Sequence, residues 1–291
     1  MTTYKKIKID GLDIFYREAG QSNKPKLLLL HGFPASSFMF RDLMEHLQRD
    51  FHLIAPDYPG FGHSDAPDRK TFAYTFDNLA DVIDKFVAAL GLTKFGLYMQ
   101  DFGGPVGFRL ASQHPEKVSF LIVQNANAYE EGLPDSFWAP AKTLWKDPSP
   151  GNFEKIREAA MSDEALAWNY THGVQDESRI SPDSWLLQRA LLARPGNKDA
   201  MVDLLYDYRT NLPLYPQWQD YFRRHQPPAL IVWGKNDIIF PPVGAHPYRN
   251  DLKNVDFNIL DAGHFALEDH AETIAAHTRR FHAALAPSEA A

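Results

Sequence analysis

Two hydrophobic patterns alternate along this chain. Residues 26–31, 51–56, 95–99, 120–123 and 229–234 are nearly continuous apolar runs, the pattern of strands buried on both faces. Residues 13–18 read as an edge hairpin strand, and residues 255–260 as a last strand. Between the runs the spacing turns helical. Leu79, Val82, Ile83, Phe86, Val87 and Leu90 share one helix face that stops at Gly91, and residues 104–113 and 271–284 predict two more helices. Strands alternating with helices predict an α/β fold, with a mostly parallel sheet covered by helices on both faces. From about residue 133 to 224 no buried-strand run occurs. Tryptophan, proline and amphipathic helical stretches take its place. The expected organisation is a sheet domain in two parts, residues 1–132 and 225–291, with a helical cap at 133–224. Such a cap sits over the carboxyl ends of the strands, where open α/β sheets bind ligands.

Composition narrows the function classes. The 291 residues contain no cysteine, which excludes disulfides, thiol catalysis and cysteine-ligated metal centres. The formal charge of −7 and the absence of basic clusters argue against a nucleic-acid partner. No run of about 18 apolar residues is present to cross a membrane. The basic start at residues 1–8 lacks the apolar stretch of a signal peptide, so the cytoplasm is the expected compartment. Aromatic residues reach 13%, enough to build a core and also to line an apolar pocket for a small substrate. No metal or cofactor motif is present, so none is expected. A monomer and a homodimer are equally compatible with the sequence.

Three strand ends carry candidate chemistry. The run ending at Met99 continues as Gln100-Asp101-Phe102-Gly103-Gly104 and then a helix. A strand, one reactive side chain, glycines and a helix form a sharp elbow that lifts the side chain above the sheet. Asp237 follows the next-to-last strand, and His264 follows the last. The chain order of nucleophile, acid and histidine makes Asp101, Asp237 and His264 a candidate triad. The segment His31-Gly32-Phe33-Pro34 follows another buried strand. Its glycine and a cis bond at Pro34 suit a tight turn that aims the Phe33 N–H inward. With the Phe102 N–H it forms a candidate oxyanion hole. Ser64 stands on no strand–turn–helix elbow and is rejected as a nucleophile.

The motifs HGFP at 31–34, DYPGFGHSD at 57–65, QDFGG at 100–104, WGKND at 233–237 and GHF at 263–265 resemble the α/β-hydrolase fold family, in its epoxide hydrolase and haloalkane dehalogenase branch. The resemblance covers the sheet domain and implies eight strands. Met99 departs from it, because that position usually holds a smaller residue. An aspartate at the elbow suits displacement at saturated carbon, giving an enzyme ester that His264 and water then hydrolyse. A dehalogenase of this branch is expected to carry side-chain N–H groups where Phe33 and Phe102 stand here. An epoxide hydrolase is expected to carry two cap tyrosines. The resemblance implies Tyr208 in Asp207-Tyr208-Arg209-Thr210-Asn211 as one of them and Tyr170 as the other, with Tyr206 and Tyr215 as substitutes. Further pocket positions are expected at His31, Gly32, Pro34, Trp168 and Phe265. The leading expectation is an epoxide hydrolase that gives vicinal diols. The alternatives are a haloalkane dehalogenase with an atypical halide site and a non-catalytic ligand-binding protein on this fold.

Overall fold

A computed structural model describes residues 1–285. Its sheet has eight strands: β1 (Thr3–Ile9), β2 (Leu12–Ala19), β3 (Lys26–Leu30), β4 (His52–Pro56), β5 (Phe95–Gln100), β6 (Val118–Gln124), β7 (Ala229–Gly234) and β8 (Val255–Leu260). Their order across the sheet is β1-β2-β4-β3-β5-β6-β7-β8. β1 and β2 pair antiparallel, as do β2 and β4, and every other pairing is parallel. The strand expected at the edge, 13–18, is therefore the second one. β1 is the edge, and its Lys5, Lys6 and Lys8 face solvent, as suits a strand that must not recruit another chain.

Alternation along β3 shows why its leucines are continuous. Leu28 and Leu30 enter one hydrophobic cluster, whereas Leu27 and Leu29 enter the cluster on the other face. Helices α1 (Arg41–Leu47) and α11 (Leu267–Leu285) pack together on one side, and α2 (Phe76–Ala89) and α3 (Gly103–Gln113) on the other. Thr75 starts α2 by accepting a hydrogen bond from the Asn78 N–H. A short helix, α10 (Tyr248–Asp251), precedes β8.

Between β6 and β7 the chain is helical throughout its regular structure: α4 (Asp135–Lys146), α5 (Pro150–Met161), α6 (Asp163–Thr171), α7 (Asp183–Leu192), α8 (Asn197–Asp207) and α9 (Tyr215–His225). α9 packs on α3 and α10 of the sheet domain, with Trp218 and Phe222 against Phe108 and with Phe222 also against Tyr248. Its buried aromatic face packs with the helices beside the sheet. Among the described residues no helix is long and apolar enough to cross a membrane.

Candidate functional site

The site begins at the end of β5. Asp101 has φ +50°, a left-handed backbone that turns the chain sharply from strand into α3. Close approach of the two elements depends on glycine. A Cβ on Gly103 would overlap the Leu30 carbonyl, and one on Gly107 would overlap Met99 Sδ. Gly107 thus makes the room that the bulky Met99 needs.

The loop after β3 reaches the same point. A Cβ on Gly32 would overlap Gln100 Oε1 and Asp101 Cβ, so only glycine lets this backbone pass. The Phe33–Pro34 bond is cis. The Phe33 N–H donates to Asp101 Oδ1 at 2.6 Å. The Phe102 N–H opens α3 and makes no hydrogen bond within the described residues.

His264 lies on the loop after β8. Its Nδ1 is 2.8 Å from Asp237 Oδ2, and its Nε2 is 3.6 Å from Asp101 Oδ2. All three side chains are buried. Asp237 is held from four directions: the Ile239 and Phe240 N–H groups donate to Oδ1, while Asn125 Nδ2 and His264 donate to Oδ2. Burial alone would push the His264 imidazole down. The Asp237 carboxylate, with hydrogen bonds to Asp101 and Asp237, outweighs it, and the pKa is pushed up to about 10. That direction favours an imidazolium between the two carboxylates.

A cavity of about 220 Å³ opens above Asp101 and His264. The sheet domain contributes Phe33, Phe102 and Ile239. The covering helices contribute Phe137, Trp138 and Ala141 from α4, Ile156 and Ala160 from α5, Ala165, Trp168 and Asn169 from α6, and Leu205 from α8. Apart from Asp101 and His264, its polar side chains are few. Trp138 Nε1 is taken by the Ile239 carbonyl, and Asn169 Nδ2 by the Ala165 carbonyl. The Trp168 indole N–H has no hydrogen bond to the described residues; its ring stacks between Phe137 and His172.

The expected tyrosines are not on this wall. Tyr170 stacks on Phe265 at 4.2 Å, in the field of Arg41 and Glu268. Helix phase explains the correction: two residues along α6 are roughly 200° apart, so the helix that turns Trp168 inward turns Tyr170 away. Tyr208 is fully buried one layer behind the wall, 4.8 Å from Trp138 and 6.1 Å from Phe102 between ring centroids. Its hydroxyl lies beside the Tyr215 hydroxyl. Tyr206 lies under the Arg209 guanidinium, and the Tyr215 hydroxyl accepts from Asn127.

Other expected pocket positions are also supports. His31 bonds the Gly32 carbonyl and accepts from the Tyr58 N–H, while burial pushes its pKa down. Pro34 lines a separate small hollow, and Phe265 packs edge-on against His264. Ser64 ties the loop after β4 to β2 by donating to the Asp57 carbonyl and accepting from the Phe15 N–H. Two neighbours escaped the sequence reading. Asn125, at φ +43°, accepts from the Asp101 N–H through its carbonyl and donates to Asp237. Gln100 reaches His264 directly. Their only sequence signal is a polar residue at the end of a buried strand.

This arrangement can hold a carboxylate against the Phe33 N–H, beside a histidine oriented by a second carboxylate, at the floor of an apolar chamber. Residues 25–271 match the family described as alpha/beta hydrolase fold. The chain is 42% identical over 275 residues to the uncharacterized hydrolase YNR064C of Saccharomyces cerevisiae, covering 94% of each chain. It is 25% identical to epoxide hydrolase 3 of Mus musculus, over 91% of this chain and 72% of the other. Among solved structures, haloalkane dehalogenase DbeA from Bradyrhizobium elkani shares the fold with a TM-score of 0.79 at 23% identity, covering 98% of this chain and 100% of that one. With the sheet order, the elbow and these likenesses together, the chain belongs to the α/β-hydrolase family and is a hydrolase with epoxide hydrolase and dehalogenase relatives.

Proposed function

We propose that the protein hydrolyses small apolar epoxides through an ester on Asp101. The observation that carries the reading is the pair of contacts on one carboxylate: the Phe33 N–H on Oδ1 and His264 Nε2 at 3.6 Å from Oδ2. Asp101 attacks a saturated carbon of the substrate and the C–O bond opens. Loss of the Asp101 charge removes one of the interactions holding the proton on His264; that proton goes to the ring-opened oxygen, and the neutral ring becomes available as a base. Neutral His264 takes a proton from water, which attacks the ester carbonyl. The oxyanion that forms sits on the Phe33 and Phe102 N–H groups. Collapse returns the carboxylate and releases a diol.

Two features support an oxygen leaving group. Phe33 and Phe102 offer no side-chain donor to a halide. Tyr208 keeps a buried hydroxyl directly behind the wall, beside the Tyr215 hydroxyl and in the electrostatic field of Asp101. One observation favours the second reading, dehalogenation: the wall donor actually free is the Trp168 N–H, and a halide departs without needing a proton. A single turnover in heavy-oxygen water tests the ester. Label in the Asp101 carboxylate is expected, and label only in the product would overturn it.

A further inference from the structure

Gln100 closes β5 and is completely buried. Its Nε2 lies 3.1 Å from His264 Nε2, nearer than Asp101 does, and 3.5 Å from the His264 carbonyl. Its Oε1 is buried with no partner among the described residues. That oxygen and Asp101 Oδ1 crowd the same point beside Gly32.

This orientation suits one state of the ring only. An amide N–H can donate to His264 Nε2 when that nitrogen carries a lone pair. When the nitrogen carries a proton, the carboxamide must present its oxygen, and an amide turns over by rotation about one bond. Turned over, Oε1 accepts from the imidazolium, so the oxygen that had no partner gains one. Both orientations fit the same space, and each matches one protonation state. The charged groups facing His264 are Asp237 and Asp101; Phe240 and Phe265 cover the ring, and His31 and Tyr58 lie in the field of Asp101.

We propose that Gln100 is a positioning residue for the hydrolytic step, its carboxamide following the proton on His264 Nε2. In the resting protein Oε1 holds the protonated edge of the ring. Once Asp101 is an ester and His264 is neutral, the amide N–H holds the lone-pair edge of the ring until the attacking water replaces it, and Oε1 returns to that edge when Nε2 takes the water's proton. This role rests on the aspartyl-ester reading, although its first half does not.

The test is a pH titration of nitrogen-15-labelled histidine by NMR, without substrate, on the parent, Gln100→Leu and Gln100→Glu proteins. Leucine removes the acceptor and should lower the His264 midpoint by about one pH unit, the consequence of losing one hydrogen bond to a charged group. Glutamate, of equal size, should raise it. With an epoxide, Gln100→Leu should slow ester hydrolysis about tenfold, shift its pH profile with the midpoint, and leave alkylation within twofold of the parent. An unmoved midpoint in both variants overturns the proposal, and Gln100→Glu alone decides it if the leucine variant does not fold. An unmoved hydrolysis rate and pH profile in Gln100→Leu also overturns it. If no electrophile alkylates Asp101, the ester reading fails, and the substrate-free titration still decides whether Gln100 follows the proton.

Discussion

The Phe33 N–H meets Asp101 Oδ1 at 2.6 Å, joining residues 68 positions apart in sequence. The contact ties the loop after β3 to the elbow after β5, and these two strands are hydrogen-bonded neighbours in the sheet. The donor is thus fixed by two parallel strands, so little reorganisation is needed when charge develops on that oxygen.

Replacing His264 by Gln should separate the two chemical steps. The carboxylate of Asp101 remains, so alkylation proceeds, while hydrolysis of the ester slows by about 10²–10⁴, the usual loss with a general base. Mass spectrometry of intact protein should show a stable adduct. Full turnover in this variant would remove His264 from the mechanism.

The His264 proton also predicts a pH dependence of stability. Its folded pKa, pushed up to about 10, lies above the ordinary 6.5. The stabilisation from this ring is therefore complete below about pH 6.5 and is lost as pH rises through about 10. Urea midpoints measured from pH 6 to 10 should fall in the parent protein and fall less in His264→Gln. Parallel slopes would mean that the ring is neutral in the folded state.

Two conservative substitutions distinguish the leaving groups. Tyr208→Phe deletes one hydroxyl and should cut epoxide opening by about 10–10³, the range for loss of a donor to developing charge. Trp168→Phe deletes the free indole N–H and should matter mainly for bromoalkanes. If Tyr208→Phe opens epoxides at the parent rate while Trp168→Phe abolishes bromide release, the dehalogenase reading replaces the epoxide one.

Gly32→Ala tests the crowding beside the elbow. The added methyl must displace Gln100 Oε1 and Asp101 Cβ together. Overpacking of this kind costs about 1–3 kcal/mol, and the Phe33 donor moves with it. A lower melting temperature and a loss of activity larger than the loss of folded protein are expected. An alanine variant with parent kinetics would show that the loop after β3 has slack.

What could be read from the sequence was whatever a strand end announces. Asp101 and Asp237 each follow a buried apolar run, His264 follows the last strand, and the glycines beside Asp101 and His264 have no other easy explanation. Phe33 was legible for the same reason. The wall of the chamber was not. α6 carries Trp168, Asn169 and Tyr170 in succession, and its nearly uniform mixture of polar and apolar residues gives no phase from which to choose the inward one. Tyr208 is expected at the wall from the resemblance of residues 207–211 to a cap motif, and the rings that screen it, Trp138 and Phe102, lie about 70 and 106 positions away in sequence. β1 was hidden by its lysines, since an edge strand that turns its side chains to water shows no hydrophobic pattern.

The chamber is apolar almost everywhere except at its floor, and that asymmetry favours departure of what the floor makes. An epoxide brings no hydroxyl into the cavity, but a diol brings two. With most wall donors and acceptors already engaged, each hydroxyl left without a partner costs about 1–3 kcal/mol relative to water. Reactant and product then differ in affinity in the direction that empties the site, so turnover should stay nearly free of inhibition by its own product, even at product concentrations far above those of the substrate.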